Sequence, residues 1–377
     1  MRLRRLLSRL IRATLIAGVL GFGLLYATSE GLSNFGARPE GDRLARMEAS
    51  PRWSDGQFVN DVPEVLMPAS AWMGFLQETW SGGQQRTPPG PLPMAPAPRT
   101  YDTPPDTGLR VTWLGHSTLL VEIDGLRVLT DPVWGERPSP STVVGVKRFH
   151  PPPLPLEALP PIDVVVLSHD HYDHLDAPTI RRLAQTEVPF VAPLGVGAHL
   201  EAWGVAPERI TELDWWEETR LPGGLTLVAT PAAHFSGRAL VDTKRTLWAS
   251  WAILGSSHRV WFSGDTGPTE AFAEIGARLG PFDLAMIECG AYNVAWPAVH
   301  LGPEGAVEAG LDVRARRVLP VHWSTWQLAN HAWDEPAERL TKAAEAAGLP
   351  ALTPILGQPI EPLTDPATEA WWRGVGD

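Results

Sequence analysis

Residues 162–176 read Ile-Asp-Val-Val-Val-Leu-Ser-His-Asp-His-Tyr-Asp-His-Leu-Asp, and no other stretch constrains the chain as tightly. The apolar run after Asp163 predicts a strand buried on both faces. It ends in a packed set of metal-ligand side chains: His169, His171, Asp173 and His174. Their spacing of two, two and one rules out the helical pattern in which two His stand one turn apart on one face. A turn at the end of the strand can instead send two of them toward one cation and two toward another. Imidazole and carboxylate suit zinc, manganese or iron, and two such ions ~3.5–4 Å apart can share one hydroxide. The competing reading is a polar loop with incidental His. Three His and three Asp within eight residues weigh against it.

The 377 residues allow one large domain with an extension, or two domains. Seventeen Trp can fill a core or line an apolar pocket, and 38 Pro, about twice the usual ~5%, favour ordered loops over a helical bundle. Cys289 is the sole cysteine, so no intrachain disulfide can form. The net charge is −12, and all five basic residues among the first twelve are Arg. The remaining chain carries 26 basic against 43 acidic residues, which makes it a poor nucleic-acid binder. An anionic substrate stays open, because bound divalent cations reverse the local field.

Taken in order, the chain divides into residues 1–29, 30–108 and 109–377. The first part sets Arg2, Arg4, Arg5, Arg9 and Arg12 before an apolar run over 13–27. Counting Leu10 and Ile11, with Arg12 snorkelling, brings the run near the ~20 residues that span a bilayer. The expectation is an uncleaved signal anchor with the Arg cluster cytoplasmic and the body outside the inner membrane of a bacterial host. A cleaved signal, giving a secreted protein, and an interfacial helix are the alternatives. Residues 30–108 show no sustained period; 65–80 read as helical, and eight of the eighteen residues from 88 to 105 are Pro, an extended connector.

Regular structure is expected from 109 onward. Strands are predicted over 109–114, 118–123 and 126–130, with Asp124-Gly125 as a tight turn, and again over 188–192, 225–230, 247–254, 259–263, 284–288 and 317–320. Helices are predicted over 177–184, 269–279, 303–311 and 335–347. Strands interleaved with helices imply a layered α/β body. Four ligands do not complete two metal sites, and three further ligand-type residues stand at later strand ends: His234, Asp265 in Ser263-Gly264-Asp265-Thr266-Gly267, and His322. Taken singly, each also reads as a hydrogen-bonded strand-end residue or a turn.

The series His-x-His-x-Asp-His, followed by His, Asp and His at strand ends, resembles the metallo-β-lactamase superfamily. Within it the chain is similar to the N-acyl-phosphatidylethanolamine-hydrolysing phospholipases D. That resemblance runs from about Phe58 to Gly348. It is carried by Val111-Thr112-Trp113-Leu114-Gly115-His116, Leu129-Thr130-Asp131-Pro132, Lys147-Arg148-Phe149, Asp214-Trp215-Trp216-Glu217-Glu218 and Gly290-Ala291-Tyr292. It implies an αββα sandwich with two divalent metal ions, zinc by preference, at one edge between the sheets. It implies that His169, His171 and His234 bind one ion, that Asp173, His174 and His322 bind the other, and that Asp265 bridges both. Asp131 would orient a ligand ring, His116 would do the same, face substrate or serve only the structure, Tyr292 would stand behind the ligands or on the substrate side, and His300 would stand on the substrate side with a catalytic part. Glu288-Cys289 and Gly302 depart from the pattern of that group.

The implied activity is phosphodiester hydrolysis of N-acyl-phosphatidylethanolamine-like lipids by a metal-bridging hydroxide, with the membrane surface as a partner. A lactonase or another small-molecule ester or amide hydrolase of the same fold shares the metals and differs only in its pocket. A non-catalytic, membrane-anchored metal-binding protein is the alternative of another class; it calls for coordination closed by protein ligands, whereas a hydroxide-sharing pair needs open positions.

Overall fold

In the computed structural model, the described residues are Thr14, Gly18, Gly21 and 29–376, excepting 63–68, 97–99, 240, 365, 367 and 368. The expected anchor over 13–27, apart from Thr14, Gly18 and Gly21, and the start of the helix expected from 65 fall outside the described residues. Among those described, no helix is long and apolar enough to cross a membrane.

A short hairpin, β1 (Trp53–Ser54) and β2 (Gln57–Phe58), precedes the main body. The first sheet takes β3 (Leu109–Gly115), β4 (Thr118–Ile123), β5 (Leu126–Thr130), β6 (Val164–Val166), β7 (Phe190–Pro193) and β8 (Ile210–Leu213). The second takes β9 (Glu218–Arg220), β10 (Thr226–Thr230), β11 (Ser250–Leu254), β12 (Arg259–Phe262), β13 (Leu284–Glu288) and β14 (Val318–Val321). The last strand, β15 (Pro359–Ile360), returns to the first sheet and pairs antiparallel with β3. Both sheets are mixed. Antiparallel hairpins run through β3, β4 and β5, and parallel pairing follows from β5 to β8; β9 to β12 are antiparallel and β12 to β14 parallel.

The first sheet has no solvated face, which explains its continuous apolar runs. Val164 and Val166 join Trp113, Val121, Trp251 and Trp261 in the core between the sheets. Val165 and Leu167 belong to the outer cluster with Ile180, Leu183 and Leu200, from the helices Ala177–Leu183 and Gly197–Ala202. On the far side, helix Gly302–Asp312 packs on β13, β14 and helix Glu335–Ala347. The layering is thus helix, sheet, sheet, helix. Arg110 and Glu122, cross-strand neighbours on β3 and β4, are both buried and joined by a 2.8 Å hydrogen bond. A buried pair of this kind needs its hydrogen bonds to offset the loss of hydration.

The stretch 30–108, expected to be irregular apart from a helix over 65–80, carries helix Ala69–Ser81 within that range and, besides it, helix Gly41–Glu48 and the hairpin. Helix Gly41–Glu48 buries one side chain, Met47, while Arg43 bonds Glu201 and Glu212 of the body. Phe58 is fully buried and its N–H donates to Lys244 O at 2.8 Å. This mostly polar helix is held by one buried apolar anchor and by ion pairs.

Candidate metal centre

The strand β6 is extended by Leu167 and Ser168 before the chain turns. Leu167 O accepts from Trp251 Nε1 at 2.9 Å, and Ser168 O accepts from Ala249 N at 2.9 Å, which moors the strand end to the second sheet. Beyond it, the N–H groups of His174 and Leu175 both donate to His171 O, closing a turn. Asp176 caps the next helix by accepting from Thr179 N, with Pro178 in the first turn. The turn splays the four side chains into two groups, His169 with His171 and Asp173 with His174.

One group brings together His169, His171, His234 and Asp265; a second brings together His116, Asp173, His174 and His322; a third joins Asp265, His300 and His322. Within each group the ligand atoms lie within 4.8 Å of one another. His171 Nδ1 is 2.9 Å from His169 Nε2 and 3.3 Å from His234 Nε2. His322 Nε2 is 3.3 Å from Asp173 Oδ2. Asp265 reaches both sides: its oxygens lie 3.2 Å from His174 Nε2, 3.1 Å from His322 Nε2, 3.8 Å from His169 Nε2 and 3.7 Å from His234 Nε2. The turn that carries it needs Gly264, whose φ is +55° and where a Cβ would come 2.5 Å from the Ser168 Cβ. Gly290 has a like role beside β14, since a Cβ there would meet His322 O at 2.0 Å.

The rings are held from behind. Asp131 Oδ2 accepts from His174 Nδ1 at 2.7 Å and from Ser168 Oγ at 2.6 Å, while its Oδ1 accepts from Ser168 N at 2.7 Å. Ser168 Oγ in turn lies 2.9 Å from His169 Nδ1. His234 Nδ1 donates to Val299 O at 2.9 Å. Each of these bonds commits the Nδ1 proton. At His169 and His234 this leaves Nε2 bare toward the cluster. At His174 burial opposes protonation, but Asp265 and Asp173 overcome it and push the ring well above its usual range, so a cation there would displace the Nε2 proton. His116, Asp131 and His322 all have positive φ (51°, 34° and 66°), so backbone strain gathers around this centre.

Residues 126–323 match the beta-lactamase superfamily domain. The chain belongs to that superfamily. A Mycobacterium tuberculosis protein described as uncharacterised is 48% identical over 332 residues, 86% of this chain and 88% of that protein. The Caenorhabditis elegans N-acyl-phosphatidylethanolamine-hydrolyzing phospholipase D 1 is 39% identical over 253 residues, 64% of this chain and 71% of that protein. Among solved structures, the metallo hydrolase Igni18 of Ignicoccus hospitalis superposes with a TM-score of 0.52 at 24% identity, covering 67% of this chain and 97% of its own. That last likeness concerns the fold. The superfamily and its relatives make the chain a metal-dependent hydrolase of the metallo-β-lactamase fold.

The electrostatics of the centre suit cations of N and O donor sites. His174 Nε2 and Asp265 Oδ1 are buried and lack hydrogen-bond partners, which is costly unless another group satisfies them. Burial opposes ionisation of Asp265, but His174 and His322 outweigh it and hold the carboxyl well below its usual range. Burial likewise opposes ionisation of Asp173, and His174 and His116 overcome it. Burial pushes His169 and His234 well down; neighbouring imidazoles add to this at both, and Asp265 opposes it. Such rings offer lone pairs at neutral pH, so the donor set fits divalent metal ions.

His116 stands against Asp173, its Nε2 2.9 Å from Oδ2, and burial holds its ring down to about 3. It therefore steadies that carboxylate as a neutral donor. The Tyr292 hydroxyl donates to Glu335 at 2.7 Å and its ring stacks on His331. His150, His199, His258 and His331 lie outside the three groups. Sequence reasoning missed Ser168, Asn60 and Glu288. Ser168 and Glu288 could be found as polar residues closing apolar strands beside ligands; Asn60, 174 residues before His234, carries no local signal.

Proposed function

We propose that the chain is a binuclear phosphodiesterase that cleaves the headgroup bond of N-acyl-phosphatidylethanolamine-like lipids. The observation that carries this reading is the single carboxylate of Asp265, shared between two imidazole-rich groups. The named activity of the Caenorhabditis elegans relative supports the substrate class. Two divalent ions, zinc being well suited to the donors, supply Lewis-acid polarisation of phosphoryl oxygens and acidify water when bound. His169, His171 and His234 would hold one ion, Asp173, His174 and His322 the other, and Asp265 both. Asp131 and Ser168 fix the His174 and His169 rings, so that no reorganisation accompanies the reaction. His300, at the edge of the cluster and 12% exposed in its side chain, is set to meet substrate.

A lipid surface is the partner we infer. Trp72, Met73, Leu76 and Trp80 are exposed and fall on one face of helix Ala69–Ser81, while Trp72 and Phe75 pack on Trp296, four residues before His300. Exposed Trp beside aliphatic side chains suits the bilayer interface. We also propose that residues 1–27 tether the body outside the cytoplasm; removing them should move the protein from the membrane to the soluble fraction.

The experiment is hydrolysis in ¹⁸O-water, with a lactone panel in parallel. Attack on phosphorus places the label in phosphatidic acid and leaves the N-acylethanolamine unlabelled. Label in the N-acylethanolamine, or lactone opening with no phospholipid turnover, would overturn the reading.

A further inference from the structure

Glu288 closes β13, between the strand that leads to Asp265 and the strand that leads to His322. The four residues before it are apolar and buried, and Glu288 itself has no solvent exposure. A carboxylate in such a place requires partners, because burial strips it of its hydration. Oε1 accepts from Leu301 N at 2.7 Å. Oε2 has no hydrogen-bond partner, and neither has Nδ1 of His300. These deficits adjoin: His300 Nδ1 lies 3.4 Å from Glu288 Oε1. Glu288 belongs to none of the three candidate ligand groups, whereas His300 belongs to one of them.

We propose that Glu288 is a positioning residue for His300: its carboxylate accepts a hydrogen bond from Nδ1–H, so that the ring presents a bare Nε2 to the metal centre. The proposal rests on the binuclear reading given above. Three nearby His are anchored in this way, whereas His322 Nδ1 has no hydrogen-bond partner. His169 is anchored through Nδ1 by Ser168, His174 by Asp131, and His234 by the Val299 carbonyl. One carboxylate thereby fixes both the backbone at Leu301 and the ring next to it. The His300 ring is 5.3 Å from that of His234 and 5.2 Å from that of His322, centroid to centroid, so a flip would turn an N–H toward the ligands. A bare Nε2 accepts a hydrogen bond and does not donate one. His300 then suits a substrate that carries a donor near its scissile bond, such as an amide N–H or a hydroxyl.

The test reads the tautomer directly, on zinc-loaded full-length protein with ¹⁵N-labelled histidine. Two-bond ¹H–¹⁵N correlations distinguish the two ring nitrogens, and His300→Gln identifies the signal. The wild type should show His300 protonated at Nδ1. Glu288→Gln, whose amide oxygen can still accept, should keep that form. Glu288→Leu should lose it while His174 and His234 keep theirs and zinc content holds. On N-acyl-phosphatidylethanolamine in detergent micelles, kcat of Glu288→Leu should fall roughly 10–100-fold, the usual effect of losing such a partner. A wild-type His300 protonated at Nε2, or a Glu288→Leu protein that retains the Nδ1 form, would overturn the proposal. The wild-type spectrum decides even where a variant fails to fold. It needs no substrate, so a failure of the phosphodiesterase reading is seen separately.

Discussion

The side-chain amide of Asn60 closes on both backbone polar groups of His234. Its Nδ2 donates to His234 O at 2.8 Å and its Oδ1 accepts from His234 N at 3.1 Å. The same oxygen accepts from Trp248 Nε1 at 3.1 Å, and Trp248 is nearly fully buried. A residue from the segment before the sandwich therefore sets the backbone of a candidate ligand, while Val299 sets its ring.

Asn60→Ala should leave the His234 N–H and C=O unpaired, at ~1–3 kcal/mol for each that stays buried, while Trp248 Nε1 keeps Ala232 O at 2.9 Å. The expected result is an unfolding free energy lower by about 2–4 kcal/mol, together with earlier loss of one metal equivalent on stepwise dialysis against chelator. Unchanged metal retention would show that His234 needs no support from residue 60.

Asp131 receives three hydrogen bonds in full burial, two from Ser168 and one from His174. Burial pushes its carboxyl up, with His174 and Ser168 opposing. Asp131→Asn turns one acceptor into a donor facing N–H and O–H groups. Metal affinity should fall roughly 10–100-fold, measured by competition with a chromogenic chelator. Retained affinity would mean that the His174 ring is held by packing alone.

His150 is 3% exposed, and burial, reinforced by Arg148, holds its ring down to about 3. Unfolded, it titrates near ~6.5. Between these values the unfolded chain binds the extra proton, so stability falls as pH drops through that window and is fully present above it. The contribution lost by pH 4 is about 3 kcal/mol. His150→Gln should flatten the decline in unfolding free energy between pH 7 and pH 4 by that order, at equal metal load. Parallel curves for the two proteins would contradict the assignment.

The legible parts of the fold are those whose signal is local. The hairpin β3 to β5 follows from three apolar runs and an Asp-Gly turn, and helix Glu335–Ala347 from its period and its Pro at the start. β9, Glu-Thr-Arg, contains no apolar residue and exists through its pairing with β10. β8 is half-exposed along most of its length, and β15 is two residues long. None of these has a periodicity to detect.

At the site, ligand-type residues at strand ends were visible because His and Asp are rare closures to apolar runs. Their grouping around Asp265 depends on strand ends from two face-packed sheets converging, and Asn60 depends on the docking of a distant segment. The hydroxyl of Tyr292, turned to Glu335, was hidden because a motif states which residue is present and not where its side chain points.

The central claim is a centre for two metal ions with Asp265 between them. Elemental analysis of purified full-length protein, paired with an activity assay across graded metal removal, tests it most directly. The account predicts close to two equivalents per chain, and loss of both occupancy and turnover in Asp265→Asn. One tightly bound equivalent per chain with full activity, unaffected by Asp265→Asn, would contradict it.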